Sequence, residues 1–262
     1  MNFIESIILG IIQGLTEFLP VSSSGHLELG KALLHIELEN DLLFSIIVHA
    51  ATTLSTIVVF RNDIMLIIRD IFKFEWNEST QFAAKIILSM IPVGIVGLLF
   101  KNEVEGFFQG DIQLVGFMLC LTGVLLLLTH FIKDRQGGEV TFWRAIVIGI
   151  AQAVAIIPGL SRSGATISTA LLIGTDRSKA ACFSFLMVIL PIIGATLLEV
   201  KDYLEQPSTL DLSPLVLVAG FVSSFVAGLF ACKLMIDLIK KGKLIYFSIY
   251  CFIVGISAVL FF

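Results

Sequence analysis

Six stretches of this chain stay apolar over the thickness of a lipid bilayer: Asp41 to Phe60, Phe82 to Phe100, Ile112 to Ile132, Ala180 to Val200, Pro214 to Leu238 and Leu244 to Phe262. Hydrocarbon offers no partner to a peptide N–H or C=O, so such a chain can cross only as helices or as a closed barrel. Continuous runs of roughly 20 apolar residues, rather than alternating segments of about ten, select helices. The composition agrees. Hydrophobic residues make up 57% and charged residues 15%, with a mean hydropathy of +0.99, whereas soluble domains carry roughly a quarter charged residues. No segment between the apolar stretches is long enough to bury a core of its own. One all-α integral membrane domain, 1–262, is therefore expected. A net charge of −4 selects no partner, and the lack of a basic stripe interleaved with aromatics excludes nucleic acid. Cys120, Cys182, Cys232 and Cys251 stand singly in apolar runs without metal-type spacing and read as small buried hydrophobes.

Two further apolar regions, 3–34 and 141–174, are each split by a short polar segment. The first is Pro20-Val21-Ser22-Ser23-Ser24-Gly25-His26 and the second is Pro158-Gly159-Leu160-Ser161-Arg162-Ser163-Gly164. The offset that carries Gly10 onto Gly149 also carries Gln13 onto Gln152, Ser22 onto Ser161, Ser24 onto Ser163, Gly25 onto Gly164, and Phe44-Ser45 onto Phe183-Ser184. The chain is built twice, with repeat 1 over about 1–133 and repeat 2 over about 141–262. After each break the second arm is short (His26 to Leu34; Gly164 to Gly174), which suits a re-entrant hairpin that returns to the side it entered from. Each half then holds one hairpin and three full spans. Three is odd, so the second half enters from the opposite face and the repeat has inverted topology. Proteins of that architecture keep their ligand site where the two broken helices meet.

Lysine and arginine give the sidedness. Arg61, Arg69, Lys73, Lys133, Arg135, Arg144, Arg177, Lys179, Lys240, Lys241 and Lys243 fall on one side, and only Lys31, Lys101 and Lys201 on the other. Positive charge marks the cytoplasm, so both termini are expected outside, with the first hairpin entering from the outer face. The N-terminus carries Glu5 and no cation before Lys31, the wrong start for a cleaved signal, so the first helix is expected to stay.

The breaks carry the chemistry. Glu17 lies in the arm before the first break, and an ionised carboxylate at membrane depth costs at least ~2.5–3.5 kcal/mol, which marks it as functional. Gln13, one turn earlier, faces the same way and reads either as a packing amide or as a neighbour in the site. Thr16 lies on a neighbouring face and can back-bond to its own helix. Of Ser22, Ser23 and Ser24, at least one can cap the following helix, expected to start near His26. Gly25 permits close approach of backbone to a ligand, and His26 is expected near Glu17 as a proton carrier. At the second break, Arg162 with Ser161 and Ser163 beside a helix starting at about Gly164 forms an oxyanion-binding arrangement; pairing with Glu17 is the alternative for Arg162. His49, mid-span, either reaches the site or bonds helix to helix. One acid, one histidine, clustered hydroxyls and a guanidinium describe phosphoryl transfer. With a single carboxylate, a divalent cation would bridge Glu17 and a diphosphate substrate rather than sit in a protein cage.

The stretch Gln13-Gly14-Leu15-Thr16-Glu17-Phe18-Leu19-Pro20-Val21-Ser22-Ser23-Ser24-Gly25-His26, together with Pro158-Gly159-Leu160-Ser161-Arg162-Ser163-Gly164-Ala165-Thr166, resembles the undecaprenyl-diphosphate phosphatase, or bacitracin-resistance, family over essentially the whole chain. The resemblance implies removal of the terminal phosphate from undecaprenyl diphosphate in the bacterial plasma membrane, recycling of the cell-wall lipid carrier, and a requirement for Mg2+ or Ca2+. It implies catalytic roles for Glu17, Ser23, His26 and Arg162, with Ser22, Ser24, Gly25, Ser161, Ser163 and Gly164 around the phosphates. The family's acidic motif begins with glutamate or glutamine. Here it is Gln13, so Glu17 is the sole acid and Gln13 the second candidate metal ligand. Either Ser23 or a water attacks phosphorus, and either His26 or Glu17 takes the proton. The substrate is expected to enter from the outer leaflet, its prenyl tail in a groove open to membrane lipid. A secondary transporter or flippase for an anionic prenyl lipid would use the same architecture, and a membrane scaffold would explain none of the buried polar groups. Oligomeric state stays open, a homodimer included.

Overall fold

The computed structural model describes residues 1–34, 41–100, 103, 106, 111–132, 137–205 and 213–261. Lys101, Lys133, Arg135 and Phe262 lie outside the described residues. Among the described residues every regular element is helical: α1 (Phe3–Phe18), α2 (Ser23–Leu34), α3 (Asp41–Val59), α4 (Arg61–Ile71), α5 (Glu78–Leu99), α6 (Ile112–His130), α7 (Phe142–Val154), α8 (Arg162–Leu172), α9 (Arg177–Leu186), α10 (Ile189–Glu205), α11 (Pro214–Lys240) and α12 (Ile245–Phe261).

Among the described residues four apolar lengths are long enough to cross a membrane, namely Glu78–Leu99, Ile112–His130, Arg177–Leu198 and Pro214–Lys240, with a fifth if Leu43–Val59 and Arg61–Ile71 count as one bent span. The protein is an all-helical, multi-pass membrane protein. The helices differ from the apolar stretches at three places. The stretch Asp41 to Phe60 is helical to Val59, and the chain then bends by 75° into α4, which buries none of its residues. Ala180 to Val200 is divided between α9 and α10 at Met187-Val188. Pro191 explains that division: it has no N–H to give the carbonyl of Met187, and its ring crowds that carbonyl. Leu244 to Phe262 yields α12, a helix of 17 residues, somewhat shorter than the other candidates.

Local chemistry sets the breaks. α1 opens with a capping box, in which Asn2 accepts from Ile4 and Glu5 N–H and Glu5 accepts from Asn2 N–H at 2.7 Å. It closes at Leu19, which precedes Pro20 and is pushed out of the helical region to φ −67°, ψ 141°. α7 ends at Val154, four residues before Pro158. Helices α2 and α8 therefore start afresh after each break, at Ser23 and Arg162. Both starts fall earlier than His26 and Gly164, because a serine ahead of each caps the helix.

Small residues let the helices approach closely, as lipid-embedded interfaces require. α1 packs along α11, where a β-carbon on Gly10 would lie 2.7 Å from Gly220 O and one on Gly14 2.4 Å from Ser224 O. α7 packs along α5, where a β-carbon on Gly149 would lie 2.3 Å from Ser89 O. α6 and α12 cross at Gly116 and Gly255, each the nearest obstacle to a side chain on the other. Serines tie these contacts across helices: Ser6 Oγ donates to Val216 O at 2.6 Å, Ser55 Oγ to Phe225 O at 2.9 Å, and Ser248 Oγ to Gly123 O at 2.7 Å. The breaks of α1–α2 and α7–α8 are held inside this frame.

Candidate active site

The two breaks touch. A β-carbon on Gly25 would stand 3.0 Å from Gly159 Cα and 3.1 Å from Val115 Cγ1, so only a residue without a side chain closes that gap. Ser163 Oγ of the second break donates to Leu19 O of the first at 3.3 Å.

Glu17, 7% exposed, stands at this junction and collects three donors from three parts of the chain. Gln13 Nε2, one helical turn earlier, donates to Oε2 at 3.0 Å. Ser23 Oγ, across the first break, donates to the same oxygen at 2.8 Å. Arg162 Nη2, from the opposite half, donates to Oε1 and forms an ion pair. The guanidinium answers the desolvation of the carboxylate with a charge-assisted bond. The Arg162 side chain is 22% exposed and that of Glu17 is 6% exposed, so the pair opens outward on the arginine side. His49 of α3 donates from Nδ1 to Ser45 O at 2.8 Å, one turn back on its own helix. Gln13 Oε1 is buried without a hydrogen-bond partner, as are both amide atoms of its counterpart Gln152.

The serines of the two breaks divide their work in the same way. Ser22 Oγ accepts from Gly25 N at 3.3 Å and Ser161 Oγ from Gly164 N at 3.0 Å; these two cap α2 and α8. Ser22 and Ser24 hydroxyls lie 3.3 Å apart, and so do those of Ser161 and Ser163. Ser23, the residue whose offset counterpart is Arg162, is the serine that contacts the carboxylate. The backbone is forced where the chain turns: Ser22 adopts φ +70° and Gly159 φ +89°.

His26 is not against Glu17 in the hydrogen-bond network. Its Nδ1 shares a 2.8 Å bond with Ser22 O, one turn back, and its Nε2 a 2.8 Å bond with Tyr250 OH on α12. The first-turn position of His26 in α2 puts Nδ1 over the carbonyl four residues earlier, which turns the ring away from the acid. Thr16 is spent on its own helix, donating to Ile12 O at 2.6 Å. Thr122 of α6 was not anticipated by sequence reasoning. It accepts from Ser161 N at 2.9 Å and donates toward Gly159 O at 3.3 Å, so it secures the second break; its only signal is a hydroxyl within an apolar span. Thr166, one turn after Arg162, donates to Arg162 O at 2.9 Å.

An acid beside the first break is thus ion-paired to an arginine beside the second, in a protein whose long apolar helices suit a membrane. The chain belongs to the family described as Bacitracin resistance protein BacA, whose profile matches residues 6–257. The undecaprenyl-diphosphatase of Christiangramia forsetii is 53% identical over 263 aligned residues, covering 100% of this chain and 98% of that protein. The undecaprenyl-diphosphatase of Bacteroides fragilis is 51% identical, covering 99% and 98%. That of Carboxydothermus hydrogenoformans is 41% identical, covering 98% and 96%.

Proposed function

We propose that this chain hydrolyses undecaprenyl diphosphate to undecaprenyl phosphate and inorganic phosphate, recycling the cell-wall lipid carrier and conferring bacitracin resistance. Full-length similarity to undecaprenyl-diphosphatases supports this reading. The observation that carries it is the convergence of Arg162, Glu17 and Ser23 where the breaks meet.

Arg162 uses one Nη2 donor on Glu17, and its remaining donors suit the oxygens of a terminal phosphate. The start of α8 adds N–H groups that favour an anion. Ser23 Oγ attacks the terminal phosphorus as its proton passes to Glu17 Oε2. The bridging P–O bond breaks and undecaprenyl phosphate leaves. Water then attacks the phosphoserine phosphorus, Glu17 returns its proton to Ser23 Oγ as the Oγ–P bond breaks, and inorganic phosphate departs with both hydrogens of the water, restoring serine and carboxylate. Direct attack by water with Glu17 as base uses the same atoms and omits the covalent intermediate. Glu17 rather than His26 serves as the base in both versions, because Ser23 contacts only the former.

The residues present fit a hard divalent cation, Mg2+ or Ca2+, to the extent of two oxygen donors: the Glu17 carboxylate and Gln13 Oε1, a buried acceptor otherwise unsatisfied. Among the described residues no group of three or more His, Cys, Asp or Glu is placed to cage a metal, so substrate oxygens and water would complete the shell. When bound, the cation neutralises diphosphate charge.

The reading includes an inverted repeat with re-entrant hairpins at 3–34 and 141–174. Its support is the crossed packing: α1 lies on α11 and its counterpart α7 lies on α5, the counterpart of α11, while α6 and α12 pair with each other. The cation distribution supports termini outside and a site open to the outer leaflet of the bacterial plasma membrane.

Purified protein incubated with undecaprenyl diphosphate should release free phosphate, and EDTA should abolish the release until Mg2+ or Ca2+ is restored. Movement of the intact lipid across vesicles without phosphate release would establish the carrier reading instead. Ser23→Ala is expected to lower kcat by ~10³-fold if serine is the nucleophile. A loss under about tenfold in the same phosphate assay would assign attack to water.

A further inference from the structure

Tyr250 and His26 are joined across the two halves in a way that the proposed reaction does not use. The rings lie 5.6 Å apart between centroids and only 14° from parallel. Ser22 O is an acceptor only, so the proton on the 2.8 Å contact to it sits on His26 Nδ1. In the neutral ring Nε2 is then the acceptor, and the partner that donates to it at 2.8 Å is the Tyr250 hydroxyl. Ser22 O takes a second bond from His26 N at 3.1 Å. The carbonyl so held belongs to the residue at φ +70°, a left-handed backbone that a serine adopts only under constraint. The next residue is Ser23, whose Oγ reaches Glu17 at 2.8 Å. The neighbour of Tyr250, Cys251, donates from Sγ to Pro20 O at 3.6 Å. Two consecutive residues of α12 therefore grip the first break, one at each end.

We infer that Tyr250 is a positioning residue for the phosphatase reaction: acting through His26 and the Ser22 carbonyl, it fixes the turn that presents Ser23 to Glu17. His26 is the link in this chain and not the proton acceptor. The inference rests on the function proposed above, and it extends the site to a residue outside both sequence motifs.

The test starts with Tyr250→Phe, which keeps the stacked ring and removes only the hydroxyl. It should lower kcat for phosphate release about 10- to 100-fold, the scale of a misplaced reacting group, with KM nearly unchanged. His26→Ala should cost at least as much, and the double variant no more than His26→Ala alone, since both act through one connection. His26→Asn puts an amide N–H where Nδ1–H stood and carries no titrating base, so its loss should be clearly smaller than that of His26→Ala and within about tenfold of that of Tyr250→Phe. Nitrogen-15 NMR of labelled histidine should report the Nδ1–H tautomer of His26 in the wild type, held by the Ser22 carbonyl, and a shifted Nε2 resonance in Tyr250→Phe, where that nitrogen loses its hydrogen-bond donor. Full kcat in Tyr250→Phe, additive losses in the double variant, or His26→Asn as inactive as His26→Ala would each overturn the inference. The nitrogen spectrum needs no turnover: an absent phosphatase activity with the expected Nε2 shift would sink the proposed function and leave the Tyr250–His26 connection standing. An unshifted Nε2 resonance in Tyr250→Phe, with an active wild-type protein, would do the reverse.

Discussion

Arg162→Ala is expected to reduce phosphate release from undecaprenyl diphosphate by about 10³-fold or more, the scale on which a single guanidinium contributes to phosphoryl transfer. Two losses combine. The terminal phosphate loses the one cation at either break, and Glu17 is left 7% exposed with its charge no longer matched. Breaking a buried pair on one side costs roughly 3–5 kcal/mol, so the variant should also be less stable in detergent. Glu17→Gln separates these effects. It keeps the shape, removes the charge, and leaves Gln13 and Ser23 without a carboxylate to donate to. Its activity should fall on a similar scale while its thermal midpoint stays nearer the wild type than that of Arg162→Ala. Arg162→Lys should recover stability more than rate, since an ammonium supplies the charge without the planar fork. Near wild-type turnover in either Arg162→Ala or Glu17→Gln would place the active site elsewhere.

The sequence was most legible where polarity violates its surroundings. Glu17, Arg162 and the serines stand out because apolar runs make any ionisable or hydroxyl group conspicuous, and the matching offset puts the two breaks in correspondence. What they touch was not legible. Contacts such as Arg162 on Glu17 and Gly25 on Gly159 join residues more than a hundred positions apart, and no local period encodes them. The helix starts moved from His26 to Ser23 and from Gly164 to Arg162 because capping by Ser22 and Ser161 rescues the preceding residues into the helix. The division of the Ala180 to Val200 stretch turned on Pro191, which a count of hydropathy passes over. Thr122 and Tyr250 gave weaker signals still: one hydroxyl in a span and one tyrosine in a terminal helix, both assigned only by their partners across the fold. His26 was legible as polar and as close to the site, but the direction of its ring depended on the carbonyl one turn behind it.

The junction of the breaks is also where the fold should be least forgiving. Gly159 sits at φ +89°, and a β-carbon there would lie 2.4 Å from Val115 O and 2.8 Å from Val115 Cα, both backbone atoms of α6. Neither can swing aside as a side chain would. Gly159→Val therefore combines a left-handed penalty of ~1–2 kcal/mol with overpacking of ~1–3 kcal/mol. For a membrane protein with ordinary marginal stability, the sum should appear as a clearly lowered unfolding midpoint and poor recovery of monodisperse protein by size exclusion. Any folded fraction should be nearly inactive, because moving Gly159 off Val115 separates it from Gly25 and draws Arg162 away from Glu17. Gly94 of α5 supplies the contrast: a β-carbon there meets nothing within 4 Å, and alanine is the better helix former by up to ~1 kcal/mol. Gly94→Ala should leave phosphate release unchanged and the unfolding midpoint equal or higher. If Gly159→Val matched Gly94→Ala in both readouts, close contact between the two breaks would not be what assembles the site.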